Sequence, residues 1–236
     1  MQRPDWIIMD IEGTTTSIHF VHDVLFPYAR KQIGHFILGH QDKKAVQICL
    51  KQCSDFLEKT ESLKVSGTDL LPHLLRWIDE DRKYAPLKEL QGMIWQHGYQ
   101  QGDYTAHLYE DVLPNWNRWK TCGIRLAIYS SGSVMAQQLL FSHTCHGNLS
   151  SFISAHYDTR IGNKKEPSSY KSIATSLQTP VKKLYFLSDS VSELEAAQEA
   201  GLNCFHIVRP GSQPSDFIPA VSDFNEISDI LKQQPS

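Results

Sequence analysis

Four places in the chain combine residue types that can do chemistry. "WIIMDIEGTTTS" at 6–17 leaves an apolar run on two carboxylates, Asp10 and Glu12, followed by Gly13 and three threonines. "IYSSGS" sets Ser130, Ser131 and Gly132 after another apolar run, "YFLSD" ends on Asp189, and the loop "RIGNKKEPSSY" offers Lys164 or Lys165. An unpaired buried carboxylate is costly, so a cation is expected opposite Asp10 and Glu12. Carboxylates on adjacent strands suit a hard divalent cation such as Mg²⁺, which takes few protein oxygens and completes its shell with water or phosphate oxygens. A serine hydroxyl, amides at a helix N-terminus and a lysine ammonium suit a phosphate. Together they describe phosphoryl transfer, where catalysis is mainly positioning and charge neutralisation.

Short apolar runs must carry these groups. "WIIMD" at 6–10, "IRLAIYSS" at 124–131, "SFISAHYD" at 151–158, "KLYFLSD" at 183–189 and "CFHIVRPG" at 204–211 read as buried parallel strands, rich in β-branched and aromatic residues. Helical patterns follow several of them. "SVMAQQLLFSH" opens on Ser133 as N-cap, "PSSYKSIATSL" on Pro167 at the first helical position, and "SELEAAQEAG" has Ser192 and Glu195 at capping-box spacing and Gly201 as its stop. This alternation predicts an α/β fold, a doubly wound, Rossmann-like parallel sheet whose ligands bind beyond the strand C-termini. Between 18 and 111, "VLFPYARKQIGHFILG", "KAVQICLKQCSDFLEK", "DLLPHLLRWIDEDRK" and "PLKELQGMIWQHGYQQG" instead space their apolar residues as helices. The division expected is therefore an α/β core of 1–17 with 112–236 and an all-helical cap insertion, 18–111, able to cover the strand ends. The tail "KQQPS" is expected to fray.

Composition narrows the class. The 236 residues are 41% hydrophobic and 21% charged, with a net charge of -3, ordinary for a globular protein and without the basic footprint of a nucleic-acid binder. No apolar run approaches the roughly 20 residues that span a bilayer, and no signal-peptide pattern opens the chain, so a cytoplasmic protein without membrane partners is expected. Five cysteines, an odd number without CxxC spacing, fit reduced thiols. Cys49 and Cys53 share a helix face as small hydrophobes, and "HTCH" at 143–146 lacks the second ligand pair a zinc site needs.

"DIEGTTT", "YSSGS", the Lys164 loop and "FLSDSVSELEAA" resemble, in order, the four motifs of the haloacid-dehalogenase-like phosphohydrolase superfamily. More narrowly, "DIEGTTTSIHFVHDVLFPYA", "GMIWQHGYQQG", "IYSSGSVMAQQLLF" and "FLSDSVSELEAA" resemble the enolase-phosphatase family of methionine salvage. The superfamily usually carries aspartate where this chain has Glu12, and the longer acid matches that narrower family. The resemblance implies Asp10 as the nucleophile that forms an aspartyl phosphate. It implies Glu12 as a metal ligand through its main-chain carbonyl, with the side chain free for proton transfer. Ser130 would orient the phosphoryl group, Ser131 would help bind substrate, and Lys164, preferred over Lys165, would neutralise phosphate charge. Asp10, Glu12 and Asp189 would hold one Mg²⁺ per subunit of a monomer. Glu193, at plus four from Asp189, is read as serving the helix start rather than the metal.

The implied substrate is a small phosphorylated diketone, 2,3-diketo-5-methylthiopentyl-1-phosphate, enolised first and dephosphorylated second, with Glu12 one candidate base. The alternatives are a phosphatase or phosphomutase acting on another small phosphate ester, and a non-catalytic Mg²⁺-binding relative, against which the retention of Asp10 and Asp189 speaks. The threonines after Gly13 are expected to satisfy local backbone groups, with one available to phosphate. Trp95, His97 and Tyr99 either line a substrate pocket or belong to the core.

Overall fold

The structure is a computed structural model that describes residues 2–212 and 215–232; residues 233–236 of the tail lie outside the described residues. Two compact units form, Met1–Ile18 with Thr105–Ser236, and His19–Tyr104.

The first unit is built on a parallel sheet of β1 (Trp6–Met9), β2 (Arg125–Tyr129), β3 (Ile153–Tyr157), β4 (Leu184–Ser188), β5 (Asn203–Ile207) and β6 (Ala220–Val221), in the order β3-β2-β1-β4-β5-β6. β1 lies in the middle with all four residues buried, as a strand covered on both faces must be. Alternate residues serve opposite faces. Trp6 and Ile8 join Ala127, Phe186 and Cys204 in a core closed by α7 (Pro167–Ser176) and α8 (Val191–Glu199). On the other face the Met9 sulfur accepts from the Trp116 indole at 3.2 Å, and Trp119 lies 5.3 Å from Phe224. Those residues come from α5 (Val112–Thr121) and α9 (Phe224–Lys232). The sixth strand is absent from the sequence reading because two residues cannot show a period.

Two helix starts follow the sequence signals. Ser133 accepts from the Ala136 amide at 3.2 Å and opens α6 (Val134–Ser142), and Pro167 opens α7. For α8 the expectation needs correction. The helix begins at Val191 after Ser190, so Ser192 lies inside it and no Ser192–Glu195 box forms. Gly201, at φ +97, follows its C-terminus as expected.

The second unit holds α1 (Phe26–His40), α2 (Lys44–Glu61), α3 (Leu71–Asp79) and α4 (Ala85–Gln101), preceded by a π-helical turn, Phe20–Leu25. Their apolar faces meet in a core that includes Ile33, Phe36, Cys49, Cys53, Leu57, Trp77, Leu90 and Ile94. Both thiols are buried and free, and burial raises each to about 12, which leaves them inert. Trp95 packs against this core and donates to the Leu25 carbonyl at 2.8 Å, Tyr99 is buried, and His97 is exposed. No described helix is long and apolar enough to cross a membrane.

Residues 105–111, placed in the helical insertion by the sequence reading, belong to the α/β unit. The Tyr109 amide donates to the Thr15 carbonyl at 3.1 Å, the Thr16 hydroxyl to the His107 carbonyl at 2.7 Å, and the Ser17 amide to His107 Nδ1 at 3.0 Å. These backbone partners carry no periodicity signal, which is why the segment reads as part of the insertion.

Gly98 in α4 tests the packing of the helical unit. A Cβ there would stand 2.7 Å from the Tyr104 ring and 2.8 Å from the Tyr28 ring. Both rings are pinned, by Tyr104 donating to the Trp95 carbonyl at 2.9 Å and Tyr28 to Asp103 at 2.5 Å. Gly98→Ala gains about 1 kcal/mol of helix propensity but incurs about 1–3 kcal/mol of overpacking. A net loss of about 1 kcal/mol is expected, read as faster amide hydrogen exchange along α4; slower exchange would refute it.

Candidate active site

The sheet brings three of the four motifs to one edge. β1 pairs with β2 and β4 in matching register, Met9 opposite both Ile128 and Leu187, so the chain leaves all three strands at one level. Asp10, Ser130 and Asp189 stand there, and the Asp10 amide continues the ladder by donating to the Leu187 carbonyl at 2.9 Å.

The fourth motif arrives from the loop between β3 and α7. Three hydroxyls hold three successive carbonyls of that loop: Tyr129 donates to Gly162 at 2.9 Å, Ser169 to Asn163 at 2.7 Å and Tyr170 to Lys164 at 2.6 Å. Lys164 is thereby carried inward, 6% exposed, while Lys165 stays exposed. The Lys164 ammonium lies 2.6 Å from Asp10 Oδ1 and 2.6 Å from Glu193 Oε2. Glu193 is the residue missed in the sequence. Its side chain does not serve the helix start but takes the lysine, with the Ser188 hydroxyl at 3.1 Å. The signal was its plus-four spacing from Asp189, which returns a helical side chain to the strand end.

Asp10 Oδ1 also accepts from the Ile11 amide at 2.8 Å, whereas Oδ2 has a long contact, 3.4 Å, to Ser188. One oxygen is held and the other is more open. The Ser130 hydroxyl accepts from the Gly132 amide at 3.1 Å and donates to Glu12 at 3.4 Å; Ser131, next to it, is exposed. Gln137 stitches this turn by donating to the carbonyls of Gly132, at 2.9 Å, and Tyr157, at 2.8 Å. The Thr15 and Thr16 hydroxyls satisfy backbone carbonyls, while that of Thr14 is buried without a hydrogen-bond partner. Gly13, at φ +71, abuts Asp189 so closely that a Cβ would overlap the carboxylate.

Four acids, Asp10, Glu12, Asp189 and Glu193, thus crowd around one lysine. Burial and then the Asp10 charge raise Glu12, push Asp189 up to about 6 and push Glu193 up to about 7. Burial opposes the Lys164 ammonium, but the Asp10 and Glu193 carboxylates outweigh it and raise its pKa. This excess of buried negative oxygen suits a hard divalent cation. Among the described residues no three His, Cys, Asp or Glu side chains are grouped as a metal cage, at "HTCH" or here. A cation at this edge would therefore be held by a pair of carboxylates and backbone or solvent oxygens.

In a doubly wound sheet ligands bind at the switch point beyond the strand C-termini, where this acid–lysine cluster stands. The family model for haloacid dehalogenase-like hydrolases matches residues 4–201, and the chain belongs to that family. It is 44% identical over 221 residues to the protein named Enolase-phosphatase E1 of Methylococcus capsulatus, covering 94% of this chain and 96% of the relative. To the Enolase-phosphatase E1 of Alcanivorax borkumensis it is 45% identical, covering 94% and 97%. Among solved structures, the UTR4 protein of Saccharomyces cerevisiae superposes with a TM-score of 0.79 at 31% identity, covering 94% of this chain and 99% of that one. A HAD phosphatase from Thermococcus onnurineus, 16% identical with a TM-score of 0.63, shares the fold.

The raised Asp189 carboxyl predicts a pH dependence for the metal-free protein. Its folded pKa lies above the unfolded value of 3.8, so between about pH 4 and 6 the folded state binds more protons and this group's contribution to stability falls as pH rises. Asp189→Asn should accordingly raise the thermal midpoint in chelator at pH 8 and change it little at pH 4. An equal effect at both would refute the assignment.

Proposed function

We propose that the chain is an enolase-phosphatase that enolises 2,3-diketo-5-methylthiopentyl-1-phosphate and then removes its phosphate to leave 1,2-dihydroxy-3-keto-5-methylthiopentene, with one Mg²⁺ per chain. The observation that carries the phosphatase half is Asp10, buried at the end of the central strand with one oxygen on Lys164 and the other more open. The enolase half is supported by identity of 42–45% to proteins of that name over nearly the whole chain.

Asp10 attacks phosphorus, the ester oxygen leaves, and an aspartyl phosphate forms that water then hydrolyses. Ser130 orients the phosphoryl group, Ser131 contributes to substrate binding, and Lys164 balances charge on the phosphoryl oxygens. The Asp10 and Asp189 carboxylates and the Glu12 carbonyl would hold the cation, which when bound neutralises phosphoryl charge and fixes the group in line. Glu12 is the base assigned to the enolisation step. Its side chain lies beside Ser130, and burial and then the Asp10 charge raise its pKa, which makes it a stronger base than a free carboxylate. The helical unit is an insertion between β1 and β2 of the α/β unit. The five cysteines of the chain, all free, support a cytoplasmic setting.

The test is a Mg²⁺-dependent assay on the diketone phosphate, following enol absorbance and phosphate separately. Asp10→Asn should lower phosphate release by about a thousandfold or more in a protein that remains folded, and normal turnover would sink the nucleophile. Glu12→Asp should slow enol formation. Faster turnover of common sugar phosphates than of the diketone by the unaltered protein would instead favour a general phosphatase.

A further inference from the structure

Two buried side chains at the exit of β5 hold the candidate site from behind, and no step of the proposed chemistry uses them. His206 places Nε2 3.1 Å from the Asp189 carbonyl, which can only accept, so this nitrogen carries the hydrogen; Nδ1 stands 2.8 Å from the Ser215 hydroxyl. Three residues on, Arg209 is 4% exposed. Its Nε and Nη2 fork onto the Thr14 carbonyl at 3.2 and 2.7 Å, and Nη1 pairs with Asp111 at 2.8 Å. Its guanidinium carbon lies 4.0 Å from the Tyr109 ring centroid. Burying a guanidinium is expensive, and an apolar side chain would fill the same space at lower cost. What the arginine adds is a planar fork that fixes one carbonyl and one carboxylate at once.

That carbonyl belongs to a stiff piece of chain. The amides of Thr14, Thr15 and Thr16 all donate to the Ile11 carbonyl, at 3.2, 2.9 and 3.0 Å, closing a tight loop that includes Glu12 and Gly13. Gly13 in turn abuts the Asp189 carboxylate. One stretch, 206–209, therefore grips the main chain on both sides of this contact, Asp189 through His206 and the Asp10–Glu12 loop through Arg209.

We propose that His206 and Arg209 are positioning residues that set the separation between the Asp10–Glu12 loop and Asp189, and with it the affinity of that gap for a divalent cation. The inference rests on the reading of Asp10 and Asp189 as metal ligands given above.

The experiment is Mn²⁺ titration of the full chain, followed by the paramagnetic resonance of free Mn²⁺, alongside thermal midpoints and steady-state constants. Arg209→Lys keeps a charge for Asp111 but cannot fork. It should raise the Mn²⁺ Kd by about tenfold or more and lower kcat, with KM for the phosphate ester within about twofold. His206→Phe should do the same, and His206→Gln, which keeps an N–H donor, should recover most of the affinity. Lower thermal midpoints with unchanged Mn²⁺ affinity in Arg209→Lys and His206→Phe would overturn the proposal. If Arg209→Lys does not fold, the His206 pair decides, and equal Kd for Phe and Gln overturns it. Failure of the unaltered protein to bind Mn²⁺ would sink the metal reading itself, and the positioning role with it.

Discussion

The Lys164 ammonium, buried within 2.6 Å of both Asp10 and Glu193, is the interaction on which the charge balance of the site depends. Such an arrangement is a poor way to stabilise a fold, because desolvation offsets most of the Coulombic gain and an apolar trio would fold as well. One ammonium also falls short of the acids around it. Asp189 and Glu193 are pushed up to about 6 and about 7 by burial and by Asp10, despite the lysine. The fold thus holds carboxylates at a local cost, and a bound cation is the kind of ligand that relieves it.

Topology makes this concentration of charge possible. The order β3-β2-β1-β4-β5-β6 places β1 at the centre, and the chain winds outward from it in both directions. Crossovers leaving β1 and β4 on opposite sides open a crevice at their C-terminal ends. With β1, β2 and β4 in matching register, Asp10, Ser130 and Asp189, far apart in sequence, become neighbours through strand pairing. Only Lys164 must be delivered by a loop, and that loop is tied by a hydroxyl on each of three successive carbonyls.

The longer strands and the helices of the second unit are legible in the sequence because both faces of the sheet are covered, which makes each strand a solid apolar run, and because the helical faces repeat at the proper spacing. Asp10, Ser130, Lys164 and Asp189 are legible because each follows such a run or lies in a polar loop that must return to it. β6 is not, having two residues. Nor is the partner of Glu193: a glutamate three positions into a helix reads as a capping residue, and only the three-dimensional approach of the Lys164 loop shows that its carboxylate has another use. Residues 105–111 are misread for a related reason, since extended chain held by backbone hydrogen bonds to a distant loop leaves no pattern in its own side chains.

The supports of the motif loops are illegible for a further reason. The side chains of the motif residues face one another, so the loops that carry them are fixed by their main-chain carbonyls. Gln137 takes Gly132, Tyr170 takes Lys164, His206 takes Asp189, and Arg209 takes Thr14, each donor coming from another element of the α/β unit. A carbonyl accepts from any N–H or O–H, so the donor can be an amide, a phenol, an imidazole or a guanidinium, and nothing in the motif dictates which. The acids and the lysine must be what they are because they act through their side chains. Their supports are constrained only to reach, which makes them invisible to motif reading and yet decisive for where the charges stand.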